Sequence, residues 1–231
     1  MNADFPDAQP ETQREVRDVA DVGAGQTGAA GAAGRKRPKP GERRIQILQT
    51  LAAMLEQPGG ERVTTAALAA RLEVSEAVLY RHFASKAQMF EGLIDFIEQS
   101  VLGLVNQLDE READPRTRCR KLVALLLQFG ERNPGMVRVM VGDALVHENE
   151  RLQQRMNLFF DKIESSLRQQ LREVAVLGGA HTPTVDAQAD ASVITAFCVG
   201  RLHRFARSGF RRSPCENLEH SLALLLPAER L

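Results

Sequence analysis

The residue types best suited to binding chemistry lie in a short segment between residues 64 and 83, T-T-A-A-L-A-A-R-L-E-V-S-E-A-V-L-Y-R-H-F. Thr64 with Thr65, and later Ser75, are typical helix N-caps, so the segment predicts two short helices joined by a brief turn. In a helix-turn-helix, the second helix enters the major groove of DNA by its N-terminal end, where small or polar side chains are needed. The segment therefore predicts DNA recognition. The plainer alternative is that two short capped helices are part of a bundle.

The outer side of the predicted second helix carries the candidates for DNA contact. Glu76 and Ala77 suit its exposed first turn, and Tyr80 with Arg81 lies about one turn further along. Hydroxyl and amide groups at a helix start can hold a phosphate, as Thr64 and Thr65 would, and a lysine at the start of the next helix is placed to do the same. The predicted DNA-binding residues are Arg43, Arg44, Thr64, Thr65, Ser75, Glu76, Ala77, Tyr80, Arg81, His82 and Lys86. For His82, phosphate contact and packing are both open.

The net charge of zero conceals three unlike regions. Lys and Arg number 30, as do Asp and Glu, but residues 1 to 34 hold six acids and two arginines, a net of −4. Residues 35 to 90 hold ten basic and five acidic residues, a net of +5, which leaves −1 for residues 91 to 231. The steepest change is the run from Arg35 to Arg44, which is either a solvated linker or an arm that contacts phosphates.

Other functional classes have little support in the sequence. Gly23, Gly25 and Gly28 match a dinucleotide-binding fingerprint, but neither a strand before them nor a helix-to-strand unit after them gives it context. The three cysteines form no metal or disulfide pattern, the five histidines are scattered, and no apolar stretch reaches membrane-spanning length. We therefore expect a non-enzymatic protein without a cofactor or a membrane span, preceded by a disordered acidic tail over residues 1 to 34.

Helical periodicity runs through the rest of the chain, and no stretch alternates with period two for long, so the predicted fold is all-α. A tail over residues 1 to 40, a DNA-binding domain over 41 to 97 and a C-terminal helical domain over 98 to 231 are the predicted divisions. Two long amphipathic helices near 148 to 176 and 186 to 208 are the predicted dimer contact, with Ala191, Ala196 and Gly200 allowing close approach. The predicted helices cover residues 43–56, 64–72, 76–82, 85–111, 115–132, 136–146, 148–176 and 186–208.

The run V-S-x-x-x-L-Y-x-H-F-x-S-K, present from Val74 to Lys86, resembles the DNA-binding signature of TetR-family regulators. The family resemblance implies an all-α homodimer with three N-terminal DNA-binding helices and a larger C-terminal domain. R-R-x-x-I-L-Q at 43 to 49, F-x-E-R-N-P-G at 129 to 135 and A-F-C-x-G at 196 to 200 are similar to the SlmA-like branch of that family, the nucleoid occlusion factors. An ordinary ligand-responsive TetR-type repressor and a helical scaffold that binds only protein are the alternatives.

The SlmA-like resemblance implies a nucleoid-associated cytoplasmic protein that binds palindromic chromosomal sites and, on DNA, engages the C-terminal tail of the division protein FtsZ to oppose ring assembly. The matched groove positions are Phe96, Leu125, Arg132 and Asn133. Phe96 and Leu125 would anchor apolar side chains and Arg132 would meet acidic ones, whereas core packing and helix capping are the structural alternatives. Glu73 departs from the glycine usual in the turn, which predicts a different turn shape, since a left-handed residue other than glycine costs about 1–2 kcal/mol.

Overall fold

The computed structural model describes residues 41–57 and 62–226, and these residues contain helices and no strand. The all-α prediction is therefore confirmed for the described part of the chain. Its helices are α1 (Glu42–Leu55), α2 (Thr65–Arg71), α3 (Glu76–His82), α4 (Lys86–Arg111), α5 (Pro115–Arg132), α6 (Pro134–Met140), α7 (Glu150–Leu177), α8 (Pro183–Arg207) and α9 (Leu218–Leu225), with a 3-10 turn at Asp143–Leu145.

Capping residues fix several helix starts where the sequence predicts them. The hydroxyl of Thr64 accepts a hydrogen bond from the Ala67 amide at 3.1 Å, and that of Ser85 accepts one from the Gln88 amide at 3.2 Å. Asp114 caps α5 in the same way through the Thr117 amide at 2.8 Å. Ser75 has the extended backbone of an N-cap but makes no side-chain cap bond, so the prediction is right for the start of α3 and wrong for that hydrogen bond.

Two features differ from the sequence prediction. The helix expected over residues 136–146 stops at Met140, because Gly142 takes a left-handed φ of +86° and a side chain there would meet Gln153 at 2.5 Å. Helix α9 was not predicted. The expected disordered tail, most of the basic run, the glycine fingerprint and the break at Pro58 to Gly60 lie outside the described residues.

Among the described residues, one continuous apolar core includes side chains from Ile47 to Leu226. Along α4, the buried positions follow one helical face from Leu93 through Ile97 and Val101 to Val105. Helix α7 buries Met156, Phe159, Ile163 and Leu167 on one face. Each such side chain contributes about 1.5–3 kcal/mol by leaving water.

A close backbone approach joins α1 to the start of α6. A β-carbon on Gly135 would lie 2.2 Å from the carbonyl oxygen of Ala52, so only glycine fits here. Because α6 also packs on α8, this contact ties the first helix to the C-terminal half. The two short helices α2 and α3 are thus held against the larger helical body through both α1 and α4.

Candidate DNA-binding and partner-binding sites

The turn between α2 and α3 brings the two short helices into the predicted helix-turn-helix. Glu73 has a φ of +53°, and the Val74 amide donates to the Ala69 carbonyl at 3.0 Å. The turn therefore keeps a left-handed residue at position 73, and the expectation of a different turn shape is wrong. Glu73 carries the strain that a glycine would avoid.

Two predicted DNA-binding residues are hydrogen-bonded to each other. The Thr65 hydroxyl donates to Glu76 Oε2 at 2.6 Å and so joins the first turn of α2 to the first turn of α3. The Glu76 carboxylate is held at the N-terminal end of α3, which we call the reader helix. Thr64, Ser75 and Ala77 are exposed around the same end.

The reader helix has one buried and one exposed side, as the sequence predicts. Leu79 and, just after the helix, Phe83 are in the core, whereas Tyr80, Arg81 and His82 are exposed. Tyr80 keeps 46% of its surface in solvent. An exposed tyrosine beside an arginine offers both a ring and hydrogen-bond donors to a polar, negatively charged surface.

Arg44 connects α1 to the end of the reader helix. Its Nη1 donates to the His82 carbonyl oxygen at 2.9 Å, and its guanidinium lies 4.1 Å from the centre of the Phe83 ring. A cation at a helix C-terminus is favourable because the last carbonyl groups carry partial negative charge. Arg44 therefore stabilises the C-terminal end of the reader helix. Arg43 is partly exposed.

Lys86 is placed differently from a freely solvated lysine. It begins α4, and its ammonium group pairs with the carboxylate of Glu148, while lying 5.6 Å from the centre of the Phe90 ring. The lysine side chain is 27% exposed and the glutamate side chain 12%. The pairing of Glu148 with Lys86 was not predicted from the sequence, because the two residues are 62 positions apart and no local pattern joins them.

Further ion pairs join α4 to α7, and we call them the α4–α7 row. Arg151 Nη2 lies 2.5 Å from Glu91 Oε1, and Arg155 Nη2 lies 2.6 Å from both Asp95 Oδ1 and Glu98 Oε2. Pairing with Glu98 and then with Asp95 raises the pKa of the Arg155 guanidinium above its usual range, against the effect of burial. This row fixes how the first half of α4 lies along α7.

The four positions matched to a partner-binding groove have different environments. Phe96 and Leu125 are partly buried side chains that pack on the core, and the Phe96 ring lies 6.2 Å from that of Phe129. Arg132 is exposed at the end of α5. Asn133 caps that helix, since its Nδ2 donates to the Phe129 carbonyl at 2.8 Å. Phe129, which begins the F-x-E-R-N-P-G run, is the neighbour that the sequence reasoning did not select.

Apolar side chains remain exposed on α7 and α8, the helices predicted to form a dimer. Leu158 on α7 is 57% exposed, and Val193 on α8 is 58% exposed. Ala196 and Gly200 are exposed too, with open space around Gly200. Ala191 is fully buried within its own chain, so the prediction that it lies in the dimer contact is wrong.

Metal and thiol chemistry finds no support among the described residues. Within residues 41–57 and 62–226, no three His, Cys, Asp or Glu residues are grouped closely enough to hold a metal ion. Burial raises the pKa of the Cys119 and Cys198 thiols to about 12, so they remain protonated at neutral pH. Over the same residues, no helix has both the length and the apolarity needed to cross a bilayer.

Comparison with known families covers both halves of the chain. Residues 47–93 match the family described as "Bacterial regulatory proteins, tetR family", and residues 113–228 match the SlmA-like group described as "Tetracyclin repressor-like, C-terminal domain".

Individual relatives are similar over most of their length. The nucleoid occlusion factor SlmA of Shewanella sediminis is 51% identical over 177 residues, which cover 77% of this chain and 89% of the relative. Those of Vibrio cholerae and Photobacterium profundum are 50% and 48% identical, covering 79% and 81% of this chain and 93% and 95% of theirs. Because the matches cover less of this chain than of the relatives, this chain is the longer one.

Solved structures with low sequence identity share the fold. The TetR family transcriptional regulator PfmR from Thermus thermophilus superposes with a TM-score of 0.64 at 19% identity, covering 81% of this chain and 97% of the other. The transcriptional regulator FadR from Bacillus subtilis, solved with stearoyl-CoA, gives 0.63 at 14% identity, covering 80% and 99%. At these identities the likeness concerns the fold alone.

Proposed function

Because the chain belongs to the TetR family, in its SlmA-like branch, we propose that it is a nucleoid occlusion factor that binds palindromic chromosomal sites and, on DNA, engages FtsZ to prevent ring assembly over the nucleoid. The carrying observation is the identity of about half of the residues with SlmA proteins over 76–81% of the chain. The proposed location is the cytoplasm, in association with the nucleoid.

DNA contact is assigned to the exposed side of the helix-turn-helix. Tyr80 and Arg81 leave the reader helix on its solvent side, and the Glu76 carboxylate is held at the end that would enter the major groove. Phosphate contacts fall to the flanking polar groups, which fix the register of the protein on the duplex. The proposed DNA-binding residues are those predicted from the sequence.

Contact with the FtsZ tail is assigned to the surface between α4 and α5. Phe96 and Leu125 each keep part of their apolar surface in solvent, and Arg132 adds an exposed cation at the end of that surface. An apolar strip ending in an arginine suits a peptide that carries both aliphatic and acidic side chains. Asn133 acts in this proposal by shaping the end of α5, because its side-chain amide is used as a cap.

Dimer formation through α7 and α8 completes the proposal. Leu158 and Val193 would be covered when two copies pair these helices into a four-helix contact. Two reader helices related by a two-fold axis can then enter major grooves about 34 Å apart on a palindrome. We retain residues 41–97 as the proposed DNA-binding domain and 98–231 as the C-terminal domain, with α4 continuous through the boundary.

The test is an FtsZ assembly assay. Sites are first selected from genomic DNA with the purified protein, and FtsZ polymers are then sedimented with protein plus site-bearing DNA, with protein plus scrambled DNA, and with either component alone. We expect loss of sedimented polymer only with protein and site-bearing DNA together. Unchanged FtsZ polymers under that condition, with DNA binding intact, would contradict the FtsZ part of the proposal.

Ligand-responsive repression has less support than nucleoid occlusion. The C-terminal core is tightly filled around Gly130, where an added β-carbon would lie 2.4 Å from Leu202 Cδ2. The depressions found along α7, beside Leu158 and beside Arg172, are open to solvent. Mapping of binding sites in cells separates the two functions: a palindrome spread around the chromosome indicates nucleoid occlusion, whereas a few sites beside metabolic genes indicate repression.

A further inference from the structure

Lys86 lies where its ammonium group can pair with either of two negatively charged partners, the Glu148 carboxylate or a DNA phosphate. It is the first residue of α4, three positions after Phe83, which closes the reader helix. Its ammonium group is already paired with Glu148, in the segment between the 3-10 turn and α7. A phosphate that takes Lys86 must therefore displace the Glu148 carboxylate or share the ammonium group with it.

We propose that Glu148 is a built-in competitor of DNA phosphate for Lys86, so that it lowers DNA affinity and links DNA occupancy to the segment that precedes α7. The inference rests on the proposed DNA-binding function and adds a regulatory residue that lies outside the helix-turn-helix. Glu148 touches no DNA in this scheme and acts through Lys86 as a positioning residue.

The remaining ion pairs allow this one to open alone. Glu91 with Arg151, and Asp95 and Glu98 with Arg155, hold α4 against α7 at the next positions along the helices. Loss of the Lys86 pair therefore leaves the two helices attached. The change is confined to the start of α4 and to residues around Glu148.

Release of Lys86 leaves a carboxylate that is 12% exposed without its cation. A partly buried charge that loses its partner is unfavourable, so Glu148 must turn toward water or take up a cation from solution. The Glu148 amide donates to the Leu145 carbonyl at 3.0 Å, and the next residue, Asn149, caps α7. A movement of Glu148 therefore displaces the end of the 3-10 turn and the start of α7. DNA occupancy is thereby transmitted to the start of the helix proposed to form the dimer.

Glu148→Gln gives the proposal a test with a definite sign. The variant frees Lys86 for phosphate, and we expect site-bearing DNA to bind about 3–10-fold more tightly, with a salt dependence steeper by up to about one released ion. If the ion pair instead held the reader helix in its binding orientation, the same variant would bind more weakly. Weaker or unchanged binding by Glu148→Gln therefore overturns the proposal.

Glu91→Gln is the matched control, because it also removes one acid from an ion pair between α4 and α7. We expect its effect on DNA affinity to be smaller than that of Glu148→Gln. In a Lys86→Gln background, Glu148→Gln should change affinity by no more than Glu91→Gln does, since the competition requires the lysine. If Glu148→Gln and Glu91→Gln raise DNA affinity equally, or if Glu148→Gln raises it as much without Lys86, the effect comes from the overall change in charge. Either result would overturn the inference.

A second measurement follows DNA binding in the unmodified protein, and a variant is used only to assign one signal. Lysine ammonium signals are recorded by NMR in the free and DNA-bound protein, with the Lys86 signal assigned by its loss in Lys86→Gln. A shift of that signal on site-bearing DNA is expected, and an unmoved signal contradicts the exchange. If the unmodified protein binds no DNA at all, the proposed function itself fails, which is a separate result from DNA binding that ignores Glu148.

Discussion

At the scale of single residues, Glu73 affects the stability of the fold, whereas the exposed pair Tyr80 and Arg81 affects binding. Glu73 adopts a left-handed backbone in the turn before the reader helix, at a position where glycine or asparagine has less strain. Tyr80 and Arg81 contribute exposed surface without a share of the core. Changes at the first therefore alter stability, whereas changes at the other two alter binding.

Glu73→Asn should raise the free energy of unfolding by about 0.5–1 kcal/mol, because asparagine tolerates positive φ without the chain entropy of glycine. Chemical denaturation measures it. Glu73→Ala is the control: it removes the carboxylate but keeps the strain, so no gain is expected. A gain that is equal in both variants would assign the effect to charge instead.

Tyr80→Ala combined with Arg81→Ala should weaken binding to site-bearing DNA by at least about 10-fold and lower the salt slope by about one, if Arg81 contacts a phosphate. Both side chains are exposed, so the unfolding temperature should stay within a few degrees of the parent. Arg204→Ala, on the exposed side of α8, is the control and should leave DNA affinity unchanged. Fluorescence anisotropy at several salt concentrations gives both quantities.

At the scale of helices, the sequence predicted correctly the features that depend on residues close together in the chain. Caps at Thr64 and Ser85 depend on neighbours within a few residues, so the starts of α2 and α4 were predicted correctly. The pairing of Arg44 with the His82 carbonyl spans 38 positions and could not be deduced from either neighbourhood. Ala191 was misplaced for a similar reason, because a helix with apolar residues on two sides does not reveal which side meets its own chain.

Asp114→Ala should lower the free energy of unfolding at neutral pH by about 1 kcal/mol, because it removes the N-cap of α5. Hydrogen bonds from the Thr117 hydroxyl and amide lower the pKa of Asp114 from its usual 3.8. A depressed folded-state pKa gives stability that is present above pH 3.8 and is lost as pH falls below that value. The difference between parent and variant should therefore shrink in acid.

The control for this cap is Asp114→Asn, since asparagine caps helices about as well without a charge. We expect it to retain most of the stability and to show no comparable loss in acid. Urea unfolding at neutral and acidic pH measures all three proteins. A difference between parent and Asp114→Ala that persists unchanged in strong acid would contradict the role of the carboxylate.

At the scale of the whole molecule, the helical class and the long C-terminal helices followed from periodicity, whereas the packing between the two halves did not. The contact between Gly135 and Ala52 depends on backbone approach between distant segments, and the start of α6 gave no sign of it beyond a glycine after a proline. The exposed apolar positions of α7 and α8 are also a property of the folded chain. They suggest where a second copy binds.

Val193→Glu should turn the proposed dimer into a monomer, because it places a charge in the middle of an apolar contact. The protomer should stay folded, since this side chain is 58% exposed. Leu224→Glu, an exposed position on α9, is the control and should leave the dimer intact. Sedimentation velocity gives the mass, and an unaltered dimer in the Val193 variant would exclude this face as the contact.

Helix α4, because of its length, also limits how DNA specificity can be transferred from one protein to another in a chimera. It begins beside the reader helix and continues for 26 residues into the C-terminal core, so a chimera that takes its first helices from another protein must be joined before or within it. One inserted or deleted residue within α4 would rotate everything before the junction by about 100° about the helix axis. Glu91, Asp95 and Glu98 would keep their arginine partners only if the junction precedes them. A chimera can therefore exchange operator preference and keep partner binding only if its junction lies before Glu91 and preserves the helical register of α4.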